Sequence, residues 1–460
     1  MIYSFDIFDT LITRKTAVPE GIFAIMQSEL GREEFESIPL PIRNNFYQLR
    51  IMAEKLARRS YQNDKVEDVT LEQIYETLTM RGELDAAQKK QLMCLECDIE
   101  YQECVSVEKN VARIKKLLSD GETVILISDM YLPKEQIYRM LAKADPILVH
   151  LEMFVSGDCK KRKRTGAIYR FAMEQSKFAA RGCVHTGDNE KMDVAAAEEV
   201  GICSRVSWFP ALLPAEKKLL DQSPSNLWLN RVIGCSRRAR LELGKKKSQN
   251  EAVLTGISIG GILLSSYMQW IIRSAVAKGI KRLYFWGQAT YVLKHIADIL
   301  ICKTDVDIET HYIYFPESQQ TKPSFENMLF YGNKVQEMRE VDIADNEAAL
   351  VDLLGRVTTQ KYLEGLFDDG FQIFYFGLEQ LAANNNCLEY VFFPGEIFSG
   401  SAVKKFFGVC MNNEFSNYLE GIEKLAELFC EDGKMAVELE DMEQIFKMVT
   451  YVERAYCEDS

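Results

Sequence analysis

Four small groups of residues in this chain could do chemistry, and each follows a short apolar run. The first is Asp6-Ile7-Phe8-Asp9-Thr10. A carboxylate placed just after a buried strand can attack an electrophile and form an acyl-type ester or a phosphoaspartate. Taken alone, an Asp in a loop is ordinary turn chemistry. The second is Ser128-Asp129, where a hydroxyl and a backbone N–H could hold a phosphoryl oxygen. Its bland counterpart is a helix N-cap. The third is Lys163, in Lys163-Arg164-Thr165-Gly166, a cation that could neutralise charge on a transferred group. Lys160 and Lys161 beside it read as solvated. The fourth is Gly187-Asp188-Asn189 with Asp193 beyond it. Together with Asp6, these carboxylates make a hard oxygen cluster of the kind that Mg²⁺ favours. Asp193 alone could be no more than a helix-start charge stabilised by the macrodipole.

These residues gain meaning from the elements that must carry them. The run before Asp6 reads as a short strand, and Thr123–Ile127 and Cys183–Thr186 read as strands buried on both faces. Further strands are expected at Ile147–Val155, with helices at Pro133–Ala144, Thr165–Glu174 and Asp193–Val200, the last ended by Gly201. The alternation predicts a doubly wound parallel sheet, α/β in class, whose ligands bind at the carboxyl ends of the strands. Residues 15–105 read instead as mainly helical. Phe46–Ser60 has a helical pattern, and Thr70-x-x-Gln73 is a capping box opening Leu71–Leu78. The expected organisation is a core of residues 1–14 and 106–212, a helical cap of 15–105 and a linker of 213–250. A C-terminal α/β domain of unknown role follows at 251–460, with strands at Arg282–Trp286, His311–Phe315, Phe371–Phe376 and Tyr390–Phe393.

With 47% hydrophobic and 27% charged residues, the chain has the make-up of a folded globular protein rather than a disordered one. A net charge of −13 argues against nucleic acid as the main ligand. The first residues lack the basic and apolar regions of a secretion signal, and the 12 cysteines show no regular framework, so a reducing cytoplasm is expected. Ala252 to Ile272 is uncharged and long enough to cross a bilayer, but its Gly, Ser and Gln content favours a buried helix, so no membrane span is expected. Cys94-x-x-Cys97 with Cys104 lacks a partner pair for zinc. His185 reads as a core histidine, and Gly256-x-x-x-Gly260 as helix packing. Arg50, Glu54 and Arg58 share a helix face that reads as a salt-bridged surface; the sharper reading turns both arginines to the cleft as substrate-binding groups.

The set Asp6-x-x-x-Thr10, Ser128, Lys163 and Gly187-Asp188-x-x-x-x-Asp193 resembles the haloacid dehalogenase (HAD) superfamily. The stretch between the first two groups resembles the helical cap of many members. Phe-Asp-Ile-Phe-Asp-Thr-Leu-Ile-Thr-Arg, Val-Thr-Leu-Glu-Gln-Ile-Tyr, Ser-Asp-Met-Tyr-Leu-Pro and His-Thr-Gly-Asp-Asn are similar to a bacterial subgroup encoded with surface-polysaccharide and glycosyltransferase genes. The resemblance covers residues 1–210 and is weaker from about Thr255 to Leu300. It implies that Asp6 is the nucleophile and that Mg²⁺ is held by Asp6, the backbone carbonyl of Phe8 and Asp188, with Asp193 supporting the metal site. Thr10 would steady the nucleophile loop, while Ser128 and Lys163 would bind the transferred group. Asp129 and Asn189 are further candidates for substrate contact.

The match breaks at Phe8, where phosphatases of this kind carry an acid/base Asp; a phenyl ring moves no proton, and Asp9 is the neighbouring candidate. Gly287-Gln288-Ala289 and Glu317-Ser318-Gln319-Gln320 also depart from the subgroup's expected Arg-Asp-Gly and Ser-Arg-rich stretches. The leading expectation is a Mg²⁺-dependent phosphatase or phosphotransferase acting on a small phosphorylated metabolite, with a sugar phosphate as one candidate. Two alternatives stand beside it: a catalytically weak HAD protein whose residues 251–460 bind a protein partner, and a metal-independent hydrolase of dehalogenase type.

Overall fold

The computed structural model describes residues 1–79, 84–177, 179–287, 290–304, 306–313, 346–355, 371–378, 387–392, 414–431, 445 and 448. The chain divides into two compact units, Met1–Arg237 and Arg238–Ser460.

In the first unit, strands β1 (Ile2–Phe5), β4 (Thr123–Ser128), β5 (Glu152–Val155), β6 (Cys183–Gly187) and β7 (Cys203–Val206) form one sheet in the order β5-β4-β1-β6-β7. Every pairing in it is parallel. The chain runs outward from β1 through β4 to β5, then crosses to β6 and β7 on the other side. The order therefore reverses at β1, and the crevice at its carboxyl end is where an open parallel sheet accepts a ligand. Phe5, Leu126 and Ile127 are fully buried, as strands covered on both faces require.

The expected strand at Ile147–Val155 starts later. Asp145 caps a short 3-10 turn over Pro146–His150 by accepting from the Ile147 N–H at 3.0 Å, so the strand begins at Glu152. The expected helix at Asp193–Val200 is a π-turn, Glu190–Ala195, running into Ala196–Glu199.

Strands β2 (Ile12–Arg14) and β3 (Cys104–Ser106) pair antiparallel and enclose a helical insertion. Its helices are Gly21–Glu29, Leu40–Asn44, Phe46–Tyr61, Leu71–Thr79 and Ala86–Glu103. The capping box read from Thr70-x-x-Gln73 is present: the Thr70 hydroxyl accepts from the Gln73 N–H and Gln73 Oε1 from the Thr70 N–H. One apolar cluster runs from Phe5 and Leu126 in the sheet to Phe23, Phe46, Tyr75 and Leu92 in the insertion.

Residues 213–237, expected as linker, are part of this unit. Helices Pro214–Gln222 and Leu227–Leu243 cover most of the segment, and Leu229, Val232 and Ile233 are fully buried. The Ala17 N–H donates to the Asn230 carbonyl at 2.8 Å, and Arg231 pairs with Glu103 at 3.2 Å.

The second unit contains a parallel sheet in the order β12-β11-β10-β8-β9: β8 (Arg282–Trp286), β9 (Glu309–Ile313), β10 (Ala348–Gly355), β11 (Phe371–Leu378) and β12 (Cys387–Val391). The central strand β10 carries no signal in the sequence reading. The uncharged stretch forms helices Glu251–Ile257 and Ile259–Lys278, which break at Ser258. Glu251–Lys278 is long and apolar enough to cross a membrane by length and composition, and 76% of its most apolar window is buried within the protein. Gly256 packs against helix Phe415–Glu431 so closely that a Cβ there would lie 2.3 Å from the Tyr418 carbonyl.

Candidate active site

Asp6 is the first residue beyond β1, at the point where the strand order reverses. Its N–H donates to the Thr186 carbonyl at 2.8 Å, which ties the loop to β6. The loop then closes on itself: the N–H groups of Leu11 and Ile12 donate to the Ile7 carbonyl, and that of Asp9 to Ile12. None of these bonds uses the Phe8 carbonyl. Asp9 makes the turn with φ +57°, a left-handed conformation that Asp tolerates better than most residues. Thr10 donates its hydroxyl to Asp6 Oδ2 at 3.1 Å. Lys163 Nζ donates to Asp6 Oδ1, and to Asp193 Oδ1 at 2.7 Å. Asp193 Oδ2 accepts from the Asn189 N–H at 3.0 Å. Glycine is required at 187, since a Cβ there would sit 2.2 Å from Asp193 Cγ. Ser128 ends β4 and is buried beside this group.

Three carboxylates, of Asp6, Asp188 and Asp193, bring oxygen atoms within 4.8 Å of one another. Among the described residues, Lys163 is the cation bonded to two of them, Asp6 and Asp193. Burial, with the charges of Asp193 and Asp188, pushes Asp6 up to about 8 despite Lys163. Burial also lifts Asp188 to about 7, helped by Asp9 and Asp193. Asp193 behaves oppositely: burial works against its charge, but Lys163 and His185 hold it below the usual carboxylate range. Burial likewise disfavours the Lys163 ammonium, and Asp193 with Asp6 more than reverse this, so Lys163 stays cationic. A cluster of two buried acids and one half-buried acid, with Lys163 as compensating cation, is chemically suited to a hard divalent ion such as Mg²⁺. Asp6 and Asp188 have oxygens to give it, with the Phe8 carbonyl alongside. Asp193 is already engaged by Lys163, His185 and Asn189, which makes it a support for the site.

Several residues support this group, among them Glu67, Asp68 and Asn110, which were not found from sequence. His185 is fully buried, with Nδ1 at 2.8 Å from the Ser4 hydroxyl and Nε2 at 3.3 Å from Asp193 Oδ1. A proton on Nε2 satisfies both contacts, with Ser4 donating to Nδ1. Burial lowers His185 to about 4, so the ring is neutral. The Lys163 loop is held from two sides. Asp129 Oδ1 accepts from the Lys163 N–H at 2.9 Å. From the helical insertion, Glu67 Oε2 accepts from the Arg162 N–H at 2.7 Å and from the Thr165 hydroxyl at 2.8 Å. Asp68 accepts from the Ser156 hydroxyl at 2.6 Å, and Ser156 in turn accepts from the Met130 N–H at 2.8 Å. Asn110 donates to the Thr10 carbonyl and to Ser207, both at 2.7 Å. The local sequence gives no sign of these ties, because each joins residues far apart in the chain.

Two expectations are corrected. Arg50 is neither a surface residue nor a cleft residue. It is 0% exposed, with Nε and Nη2 on Glu96 at 2.8 Å each and Nη1 on Glu54 at 3.2 Å. Its donors are spent inside the insertion, and its guanidinium lies over the rings of Phe23 and Tyr131. Arg58 keeps the expected i,i+4 pair with Glu54 and also pairs with Asp68, so it braces the insertion.

Asp129 bonds the Lys163 loop, as described, and the Asn189 side chain caps its own helix by accepting from the N–H groups of Lys191 and Met192 at 3.0 Å. Asp9 Oδ1 accepts from the Thr13 hydroxyl at 2.7 Å. The Phe8 ring is 9% exposed and covered by Arg14, whose guanidinium carbon is 4.6 Å from the ring centre. Gln288, Ala289 and residues 317–320 lie outside the described residues.

No family model matches the chain, and no curated protein matches it in sequence. Among solved structures it is similar to a 2-haloacid dehalogenase from Pseudomonas syringae pv. Tomato DC3000, at 19% identity and TM-score 0.32, over 46% of this chain and 91% of that one. A HAD family enzyme from Bacteroides thetaiotaomicron, in complex with magnesium and inorganic phosphate, matches at 15% identity and TM-score 0.30, over 45% and 93%. A HAD phosphatase from Thermococcus onnurineus matches at 17% identity and TM-score 0.30, over 44% and 84%.

Proposed function

We propose that this chain is a HAD-type hydrolase that transfers a phosphoryl group from a small phosphorylated substrate to Asp6 and then to water. The observation that carries the reading is the position of Asp6. It stands at the carboxyl end of the central strand, where the strand order reverses, with Thr10 and Lys163 fixing its two oxygens. A carboxylate so held is preorganised for in-line attack, and little side-chain freedom remains to be lost on reaching the transition state.

In the first step an Asp6 oxygen bonds to phosphorus and the bond from phosphorus to the leaving oxygen breaks. In the second, water attacks phosphorus and Asp6 departs as a carboxylate. Lys163 stays cationic and counters charge on the phosphoryl oxygens. Ser128, buried at the end of β4, offers its hydroxyl to the same group. Asp6, Asp188 and the Phe8 carbonyl would hold Mg²⁺, with Asp193 keeping Lys163 in place. When bound, the ion supplies charge neutralisation and alignment of the phosphoryl group.

The test is phosphate release from a panel of phosphate esters and anhydrides, with Mg²⁺ and with EDTA, for wild type and Asp6→Asn. Release that needs Mg²⁺ and vanishes in the variant is the expected result. A folded protein that releases no phosphate from any compound overturns the reading. Phe8 favours a second reading, a metal-independent hydrolase of dehalogenase type; chloride release from a 2-haloacid in EDTA, lost in Asp6→Asn, would establish it instead.

A further inference from the structure

Breaking a phosphate ester leaves an electron pair on the departing oxygen. An alkoxide is too basic to leave unprotonated at a useful rate, so an enzyme acting on alkyl phosphates places an acid beside that oxygen. On the nucleophile loop the residue two beyond Asp6 is Phe8, whose phenyl ring carries no proton to give. The ring is fixed there. It is 9% exposed, and Arg14 lies over it. Arg14 is locked in turn by two bonds of 2.8 Å to Glu100. Rotation of the ring would not admit a neighbouring acid, because its cover is a buried, fully bonded ion pair.

Asp188, with an oxygen within 4.8 Å of Asp6, would be taken up by Mg²⁺, and the other described groups near the nucleophile already have partners. Asp9 holds Thr13 at 2.7 Å on a left-handed turn. Lys163 bonds two carboxylates. Asp129 takes the Lys163 N–H. His185 is 0% exposed, with both ring nitrogens in contacts.

We propose that this site is built for substrates whose leaving group departs as a stable anion, without a proton from the protein: acyl phosphates, phosphoanhydrides and aryl phosphates, to the exclusion of alkyl phosphate esters. The proposal rests on the reading of Asp6 as phosphoryl acceptor. The Asp6 oxygen–phosphorus bond forms, the phosphorus–leaving-group bond breaks, and both electrons leave on a carboxylate, phosphate or phenolate oxygen. Water then cleaves the phosphoaspartate; one of its protons stays on the phosphate released and the other passes to solvent. Hexose phosphates esterified at a primary hydroxyl fall in the excluded class, which narrows the expectation drawn from sequence.

The experiment is a leaving-group series with Mg²⁺: acetyl phosphate, nitrophenyl phosphate, phenyl phosphate, hexyl phosphate and a hexose phosphate. Wild type, Phe8→Asp and Asp9→Asn are compared. In wild type kcat/KM is expected to fall by about 10²–10⁴-fold from nitrophenyl to hexyl phosphate, the range a general acid contributes. Phe8→Asp is expected to raise the hexyl phosphate rate about tenfold or more while changing the nitrophenyl phosphate rate much less. Wild-type rates within about tenfold across the series overturn the proposal. Wild-type cleavage of hexyl phosphate that Asp9→Asn alone abolishes also overturns it and identifies Asp9 as the acid. Should Phe8→Asp fail to fold, the wild-type series still decides. Failure to turn over even acetyl and nitrophenyl phosphate removes the phosphatase reading itself, whereas a flat series removes only this inference.

Discussion

The first unit buries ionised groups in two places, and they are balanced differently. Inside the helical insertion, Arg50 meets Glu96 and Glu54, and Arg14 meets Glu100 through two parallel bonds. The fully buried charges pair one to one, Arg50 with Glu96 and Arg14 with Glu100, while Glu54 is partly exposed; the guanidinium of Arg14 is held above its ordinary range by Glu100 against the opposing effect of burial. At the end of β1 the count does not balance: Asp6, Asp188 and Asp193 face Lys163. Asp6 and Asp188 consequently hold their protons up to about 8 and about 7. A matched buried pair completes a structure. An unmatched one is a site awaiting positive charge, and that is the physical difference between bracing and chemistry in this molecule.

The largest effect that could break this contrast is on turnover. Asp6→Asn should lower phosphate release by more than about 10⁴-fold with the fold intact, as loss of a covalent nucleophile does; steady-state kinetics with circular dichroism would check both halves. Next is the matched pair. Arg50→Leu leaves Glu96 buried without its partner and should cost about 3–5 kcal/mol in urea unfolding, while adding Glu96→Leu should restore much of that loss. A double variant as unstable as the single one would contradict the matched-pair account. Smaller is Gly187→Ala, whose new Cβ must displace Asp193. It should weaken Mg²⁺ binding by about 10–100-fold in calorimetry, the range for a residue that orients a metal ligand's neighbours.

The smallest effect is with pH. Asp6 and Asp188 are protonated in the metal-free fold below their raised values, and an ion must displace those protons. Mg²⁺ affinity should therefore rise about tenfold between about pH 7 and pH 8 and level off above about pH 9, with proton release measurable by calorimetry in buffers of different ionisation enthalpy. The sign for the metal-free fold is opposite. A carboxyl whose folded value lies above its unfolded one binds more protons when folded. Its contribution is therefore favourable at low pH and is lost as pH rises through about 4 to 8. Unfolding midpoints with and without Mg²⁺ should diverge across that interval.

The site was legible because its parts are local. Asp6, Ser128, Lys163, Asp188 and Asp193 each follow, within a few residues, a buried parallel strand or the turn next to one, and buried parallel strands read as continuous apolar runs. Arg50 was misread because its i,i+4 acid, Glu54, is also the signature of a solvated helix face; the partner that decides its burial, Glu96, lies on another helix. Glu67 and Asp68 were missed for the same reason, since their roles depend on contacts from the insertion, whereas His185 is the buried, bonded core histidine expected from sequence. Strand β10 was missed because Ala348–Gly355 has Asp352 amid alanine and leucine and so shows neither alternation nor a β-branched run. The linker was misplaced because the charge-rich Leu227–Leu243 has the composition of a surface helix, yet its arginines find acids and backbone carbonyls inside the unit.

The chain leaves the sheet at Arg14 and returns at Cys104, and these two residues face each other across one antiparallel pair. The seam is about 5 Å wide. A segment whose two ends are neighbours leaves and re-enters without spreading the strands of the parallel sheet, so its length and content can vary as those of a cassette, provided the replacement again covers the apolar face of the sheet. Glu67 and Asp68 restrict what may be exchanged. They anchor the Arg162–Thr165 turn and Ser156, so any replacement cassette has to supply two acids at the same spot or leave Lys163 on a slack tether. A library of grafted insertions should sort into those that carry the acidic pair and keep phosphate release and those that do not.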